Sequence, residues 1–129
     1  MNKEIIKTYI ISTIVLLILD YIYFYIIDKP LKNLILKTQK SKLELNYMGA
    51  ILCYIVITLN INYFIFYKKA TIIESFLLGS SIYAIFDLTN MAFLKTWNGT
   101  IVRNDIMWGG LLYSLTTIIT NYINKNINI

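Results

Sequence analysis

The sequence predicts an all-α integral membrane protein, a four-helix bundle with the option of a short interfacial amphipathic helix between spans one and two. Apolar residues make up 57% of the 129 positions and charged residues only 15%, whereas about a quarter of a soluble domain is charged. Four stretches reach the roughly 20 apolar residues that cross the hydrocarbon core of a bilayer. A chain of this length forms a single domain, which we place over residues 1–129.

The predicted spans cover residues 5–27, 47–67, 72–94 and 103–123. The first ends shortly before Pro30, because proline disfavours helix in the residue that precedes it. Lys68 and Lys69 follow the second span, as cations do at the edge of a membrane. Asn98-Gly99 is a turn signal that separates the third span from the fourth.

The segment between spans one and two, residues 31–45, is basic and contains Lys32, Lys37, Lys40 and Lys42. Its leucine and isoleucine side chains cluster on one side if the segment is helical. An amphipathic helix that lies on the lipid headgroups would have this pattern. A solvated basic loop is the alternative interpretation.

Residue types that are missing exclude several classes of site. Histidine is absent and Cys53 is the lone cysteine. Zinc sites of the histidine type, Ser-His catalysis and Cys-His catalysis are therefore excluded, and so is an intramolecular disulfide. We predict no cofactor and no metal on this basis. The net charge of +5 does not indicate a nucleic-acid partner, because the cations flank the spans and form no stripe.

The distribution of cations between the two ends of the spans bears on orientation. The first and third loops carry seven lysines and arginines, and the amino terminus, second loop and tail carry five. Cytoplasmic loops are enriched in these residues. The first and third loops are therefore predicted to face the cytoplasm.

Three carboxylates, Asp20, Asp87 and Asp105, lie within or at the edge of the apolar spans. A charged group there costs several kcal/mol unless it faces the protein interior, finds a partner or takes up a proton. Asp20 and Asp87 lie in the second halves of spans one and three, and Asp105 opens span four. Because successive spans run in opposite directions, all three belong to the same half of the bilayer. Polar residues do not visibly continue through the other half.

Helical spacing extends this prediction to a set of residues, because side chains three and four positions apart share a face. On span two, the polar and small face is predicted to comprise Asn46, Gly49, Cys53 and Asn60. The candidate ligand or proton site comprises Asp20, Tyr23, Tyr83, Asp87, Asn90, Asp105 and Trp108, with Asn46, Cys53 and Arg103 as supporting residues.

Structural roles are the alternative for each of these charged residues. Asp105 could cap a helix and oppose its dipole. Asp87 and Asn90 could form a hydrogen-bond network between helices, and Asp20 could bond a tyrosine hydroxyl for packing alone. Arg103 could be a surface cation beside the membrane rather than a counter-charge or a phosphate ligand.

Several segments resemble an uncharacterised family of small four-span integral membrane proteins, DUF2177. The resemblance is carried by Asp20 with Tyr23, by the block Tyr83-Ala84-Ile85-Phe86-Asp87-Leu88-Thr89-Asn90, and by the block Asp105-Ile106-Met107-Trp108-Gly109-Gly110. It extends over nearly the whole chain. It implies the four-span architecture and the importance of these residues, and it implies no reaction.

Three functions fit the sequence. The first is a multi-pass membrane protein whose carboxylate-lined site binds a small molecule or a lipid without catalysis, with the bilayer as its partner and homo-oligomers left open. The second is a proton-coupled small-molecule transporter, since membrane carboxylates serve as proton carriers. The third is an intramembrane enzyme acting on a lipid or isoprenoid, in which the carboxylates hold Mg²⁺ or act as general acid and base.

Overall fold

The computed structural model describes residues 2–127, which form helices and connecting segments without a strand. The five helices are α1 (Lys3–Ile26), α2 (Asp28–Gln39), α3 (Tyr47–Ile61), α4 (Ile72–Phe93) and α5 (Gly99–Asn126). A π-helical turn, Asn62–Tyr67, continues α3. Three of the resulting elements are long and apolar enough to cross a membrane, namely Lys3–Ile26, Tyr47–Tyr67 and Ile72–Phe93.

Helix α5, which contains the predicted fourth span, is not among these three by composition. It is more polar, and many of its residues pack inside the protein. Gly109, Leu112 and Thr116 are buried on the face that meets the other helices. The helix begins at Gly99, earlier than the predicted start at residue 103. Asn98 is its N-cap and accepts a hydrogen bond from the backbone nitrogen of Ile101 at 2.9 Å. Asp105 lies in the second turn, so the alternative that it caps the helix is wrong.

Helix α2 follows α1 after one residue, Ile27. Pro30 is accommodated because the backbone nitrogens of a first helical turn have no intrahelical partner. Leu34 is buried, whereas Lys32 and Lys37 are exposed. The amphipathic-helix interpretation therefore holds for Asp28–Gln39, and the loop interpretation holds only for the residues that follow. Lys40, in the left-handed conformation with a φ of 63°, ends the helix.

The closest helix contact joins α4 to α5 and depends on glycines. A Cβ atom added to Gly109 would lie 2.5 Å from the carbonyl oxygen of Gly79 and 2.6 Å from the ring of Tyr83. One added to Gly110 would lie 2.5 Å from the Ser80 hydroxyl. Small residues allow this approach of two backbones inside a membrane. This contact fixes the alignment of α4 against α5, and therefore the relative positions of the side chains on either side of it.

Candidate functional site

Helices α1 and α5 run antiparallel, and each contributes one carboxylate and one aromatic hydrogen-bond donor to the contact between them. Trp108 on α5 donates from Nε1 to Asp20 Oδ1 at 2.9 Å, and Tyr23 on α1 donates its hydroxyl to Asp105 Oδ1. In each helix the carboxylate and the donor are three residues apart and share a face. The rings of Tyr23 and Trp108 stack, with centroids 4.8 Å apart and planes 3° from parallel. The two helices are therefore held in one register.

Asp20 is buried, with 3% of its surface exposed, and both of its oxygens are hydrogen-bonded. Besides Trp108, the hydroxyl of Tyr54 on α3 donates to Asp20 Oδ2. Bonds of this kind to an ionised carboxylate are stronger than neutral ones. Asp20 thus joins α1, α3 and α5 at a single point. A packing role for this carboxylate is consistent with its full set of partners.

Asp87 differs because only one of its oxygens has a partner. The side chain has no exposed surface, and Oδ1 accepts a hydrogen bond from Trp97 Nε1 at 3.0 Å. Oδ2 is buried and unpaired within residues 2–127. The carboxyl group of Asp105 lies within hydrogen-bonding reach of Asp87. Since a carboxylate has no donor, the two groups can bond each other only when one of them holds a proton.

No cation neutralises this group of carboxylates in the part of the chain that the structure describes. The ion pair found there joins Lys32 to Asp28 on α2, with Nζ and Oδ2 3.1 Å apart. Arg103, which we predicted as a supporting residue, is exposed and forms no ion pair within that range. Its placement fits the alternative of a surface cation.

The remaining predicted residues are placed in three ways. Tyr83 packs its ring against Gly109, close to the carboxylates. Asn90 is half-buried one turn beyond Asp87, and no side-chain hydrogen bond joins the two among the described residues. Asn46 is the N-cap of α3 and accepts from the backbone nitrogen of Gly49 at 3.0 Å. Both Asn46 and Cys53 are exposed.

The predicted inner face of span two is wrong for Asn46, Gly49 and Cys53, which are exposed. Asn60 does point inward, where it accepts a hydrogen bond from the Tyr113 hydroxyl. Tyr54, Thr58, Ile61 and Ile65 point inward, at spacings of four, three and four residues. Thr58, Ile61 and Ile65 are buried, and Tyr54 bonds Asp20. Asn46 was assigned to the inner face because it is polar, but as an N-cap its side chain bonds the first turn of its own helix. The helical spacing of these four residues was the available signal for Tyr54.

Trp97 is the second residue of the site that sequence reasoning missed. A tryptophan at the end of a span is commonly an interfacial anchor, so its position alone does not indicate a role in the site. The structure adds the hydrogen bond to Asp87 and an edge-on contact with Phe86, whose ring centroid lies 6.4 Å away. No sequence pattern distinguishes an anchoring tryptophan from one that turns its nitrogen inward.

Comparison with protein families identifies the chain. Residues 5–122 match a family described as a predicted membrane protein, DUF2177. The chain belongs to this family. The membership places it in the lipid bilayer and confirms the predicted resemblance. Neither the curated proteins nor the solved structures include a match.

In this DUF2177 protein, polar side chains also fill the other half of the bundle, contrary to the sequence prediction. Hydroxyl groups are buried there on four helices. The pairs are Tyr9 with Thr58 at 3.0 Å, Asn62 with Ser12 at 3.0 Å, Ser75 with Thr117 at 2.7 Å and Tyr113 with Asn60 at 2.7 Å. The sequence does not indicate these pairs, because serine and threonine are common in apolar helices, where their hydroxyl groups bond backbone carbonyls.

The three carboxylates of this DUF2177 protein do not converge as ligands of one metal ion. Within residues 2–127, no three His, Cys, Asp or Glu side chains are placed so that they could hold one ion. Asp20 is instead occupied by two aromatic donors, Tyr54 and Trp108. The arrangement can bind protons and hydrogen-bond donors, and it lends no support to the Mg²⁺ hypothesis.

Proposed function

We propose that the carboxylates of Asp87 and Asp105 form a proton-binding site at which the proton exchanges for a cationic group. The group would belong to a small molecule or to a lipid headgroup, since an amine presents the same chemistry in both. The observation that carries the proposal is the unpaired, buried Oδ2 of Asp87 beside a second carboxyl group. Two like charges in that position repel each other unless a proton or a cation lies between them.

The surroundings support an exchangeable site at Asp87 rather than at Asp20. Asp20 has a donor on each oxygen, so a ligand would have to displace the protein's own groups. Asp87 has one free oxygen, and Asp105 has a single hydrogen bond from Tyr23. Buried ionisable groups in membrane proteins usually belong to sites or pathways. Asp20 is then a residue that positions Trp108, whose ring stacks on Tyr23 beside the pair.

Proton-coupled transport is the second candidate, and the buried hydroxyl groups of the opposite half favour it. A transporter needs polar groups on both sides of its site, and Ser12, Thr58 and Thr116 supply buried ones. Catalysis on a lipid has weaker support, because residues 2–127 place no nucleophile beside Asp20, Asp87 and Asp105 and no set of three metal ligands there. We also propose that the half of the bundle that contains Asp20, Asp87 and Asp105 faces the cytoplasm.

Infrared spectroscopy of the purified protein in nanodiscs tests the proton site. We expect the carbonyl band of a protonated carboxylic acid at neutral pH, and we expect Asp87→Asn to remove it. Asp28→Asn is the matched control, because Asp28 is exposed on α2 and paired with Lys32. Absence of the band from the unsubstituted protein would refute the shared proton, and so would its persistence in Asp87→Asn.

Proton release on ligand addition then distinguishes the two sources of the cationic group. Ethidium serves as the soluble cation, and phosphatidylethanolamine in the nanodisc serves as the lipid amine. Loss of the acid band with ethidium indicates a small-molecule site, and loss with the lipid alone indicates a headgroup site. If neither probe changes the band, the exchange part of the proposal fails.

A further inference from the structure

The register of α1 against α5 can be followed beyond the carboxylates toward the other end of the bundle. Tyr23 bonds Asp105, and Asp20 bonds Trp108. Three residues back along α1 therefore correspond to three residues forward along α5. One turn further, this register places Leu16 opposite Leu112. Both are fully buried members of the same core cluster.

Beyond the leucines the same interface becomes polar again. The register places Ser12 opposite Thr116 and Thr8 opposite Thr120, and Thr13 and Tyr9 are the residues that follow them on α1. Near the end of the helices, Asn124 Nδ2 donates to Thr8 Oγ1 at 2.9 Å. We call the polar positions of this half the hydroxyl row; they are Thr8, Tyr9, Ser12, Thr13, Thr116, Thr120 and Asn124.

Four buried oxygens of the hydroxyl row have no hydrogen-bond partner among the described residues. They are Thr13 Oγ1, Thr116 Oγ1, Thr120 Oγ1 and Asn124 Oδ1. Leaving a buried polar atom unsatisfied costs about 1–3 kcal/mol, and buried polar groups in proteins are nearly always paired with protein or ordered water. A buried water bonds several polar groups, so these four unpaired atoms are the candidates for its partners.

The structure thus alternates polar, apolar and polar layers along a single interface. Between α1 and α5 the apolar layer consists of one leucine from each helix, so its thickness is about one helical turn, roughly 5 Å. Ile61 and Ile65 belong to the same core cluster. Leu16 and Leu112 therefore form the part of the barrier that lies between α1 and α5, separating the carboxylates from the hydroxyl row.

We propose that the hydroxyl row holds a chain of water molecules that reaches from the membrane face near Thr8 and Asn124 to the Leu16–Leu112 layer, and that rotation of these leucines connects it to the carboxylates. Protons then pass between the carboxylates and the far side of the membrane. This inference rests on the proposed function in one respect: the proposed proton site is the group that the path reaches at its inner end. The water-filled part of the path stands independently of that site.

Cysteine labelling tests the water chain without involving the aspartates. In a Cys53→Ser background, cysteines replace Thr116 or Thr120, and the protein in liposomes is exposed to a small charged methanethiosulfonate. Ile118→Cys is the control, because Ile118 is exposed on the outer face of the same helix. We expect Thr120→Cys to react at least about tenfold faster than the control, because only the thiolate reacts and it requires water.

Proton flux into liposomes tests the leucine barrier. We expect Leu112→Ser to conduct protons several-fold faster than the unsubstituted protein, because the hydroxyl removes the apolar layer. Leu111→Ser is the matched control, since Leu111 is the adjacent residue and faces outward. Leu16→Ala is the second variant, in case Leu112→Ser does not fold as judged by size-exclusion chromatography.

The outcomes separate this inference from the proposed proton site. Equal labelling of Thr120→Cys and Ile118→Cys would overturn the water chain, whatever the infrared spectrum shows. Flux in folded Leu112→Ser and Leu16→Ala no faster than in Leu111→Ser would overturn the barrier. Rapid labelling and flux together with an absent carboxylic-acid band would keep the path and refute the proton site.

Discussion

The substitution Gly109→Ala measures how strongly the α4–α5 contact depends on the lack of a side chain. The added Cβ would lie 2.5 Å from the carbonyl oxygen of Gly79 and 2.6 Å from the ring of Tyr83. The first of these atoms belongs to the backbone and cannot rotate away. The two helices must therefore separate by roughly 1 Å before the contact becomes an ordinary van der Waals distance.

We expect this substitution to lower the free energy of unfolding by about 1–3 kcal/mol, the usual range for an overpacked interior. A loss of that size corresponds to a roughly 5- to 150-fold change in the unfolding equilibrium. Separation of the helices would also lengthen the hydrogen bond from the Ser80 hydroxyl to the carbonyl of Ile106, now 3.0 Å. It would move Asp105 away from Asp87, so the carboxylate pair would be loosened together with the fold.

Equilibrium unfolding in mixed micelles with increasing dodecyl sulfate provides the assay. Tryptophan fluorescence is a suitable signal, because Trp97 and Trp108 both lie at the carboxylates. Gly49→Ala is the control, since its new Cβ would meet nothing closer than the Asn46 side chain at 3.7 Å. We expect the control to be neutral or stabilised by up to about 1 kcal/mol. Equal stability of Gly109→Ala and Gly49→Ala would refute the close-contact argument.

Two further substitutions test the hydrogen bonds of the carboxylates by unfolding in the same micelles. Tyr54→Phe leaves Asp20 Oδ2 without its donor and is expected to destabilise the protein by about 1–3 kcal/mol, whereas Tyr47→Phe, at an exposed position, should have no effect. Trp97→Phe removes the donor to Asp87 Oδ1 and should destabilise the protein by a similar amount. Combining it with Asp87→Asn should cost less than the sum of the two single changes, because groups that contact each other are coupled. Additive losses would show that the Trp97–Asp87 bond does not contribute.

The three apolar spans were predictable because hydropathy and length are local properties of a sequence. The location of α5 was predictable as well, but its start at Gly99 was not. Asn98 caps the helix, whereas the sequence identified Asn98-Gly99 only as a turn signal. The antiparallel order of the spans was sufficient to bring Asp20, Asp87 and Asp105 into one half of the bundle. That step needed no side-chain information.

The partners of the carboxylates were not predictable, since they depend on how the helices are rotated and aligned against one another. For α4 and α5 that alignment comes from the contact at Gly79 and Gly109, and sequence spacing within one helix does not encode it. Tyr54 is one of eleven tyrosines, most of which could equally lie at an interface. The inner face of span two was misjudged because Asn46 is polar to cap a helix and Cys53 is exposed.

The polarity of α5 has a consequence for the biogenesis of the protein. A helix that carries Asp105, Thr116 and Thr120 partitions poorly from the translocon into lipid on its own, since each such group disfavours insertion. Its hydroxyl partner Ser75 and its close backbone contact Gly79 both lie on α4, which precedes it by only five residues. Integration of α5 should therefore require α4 to be present, so that the two enter the bilayer as a helical hairpin. A truncated chain that ends after α4 should integrate normally, whereas α5 fused alone to a reporter should be translocated or left behind.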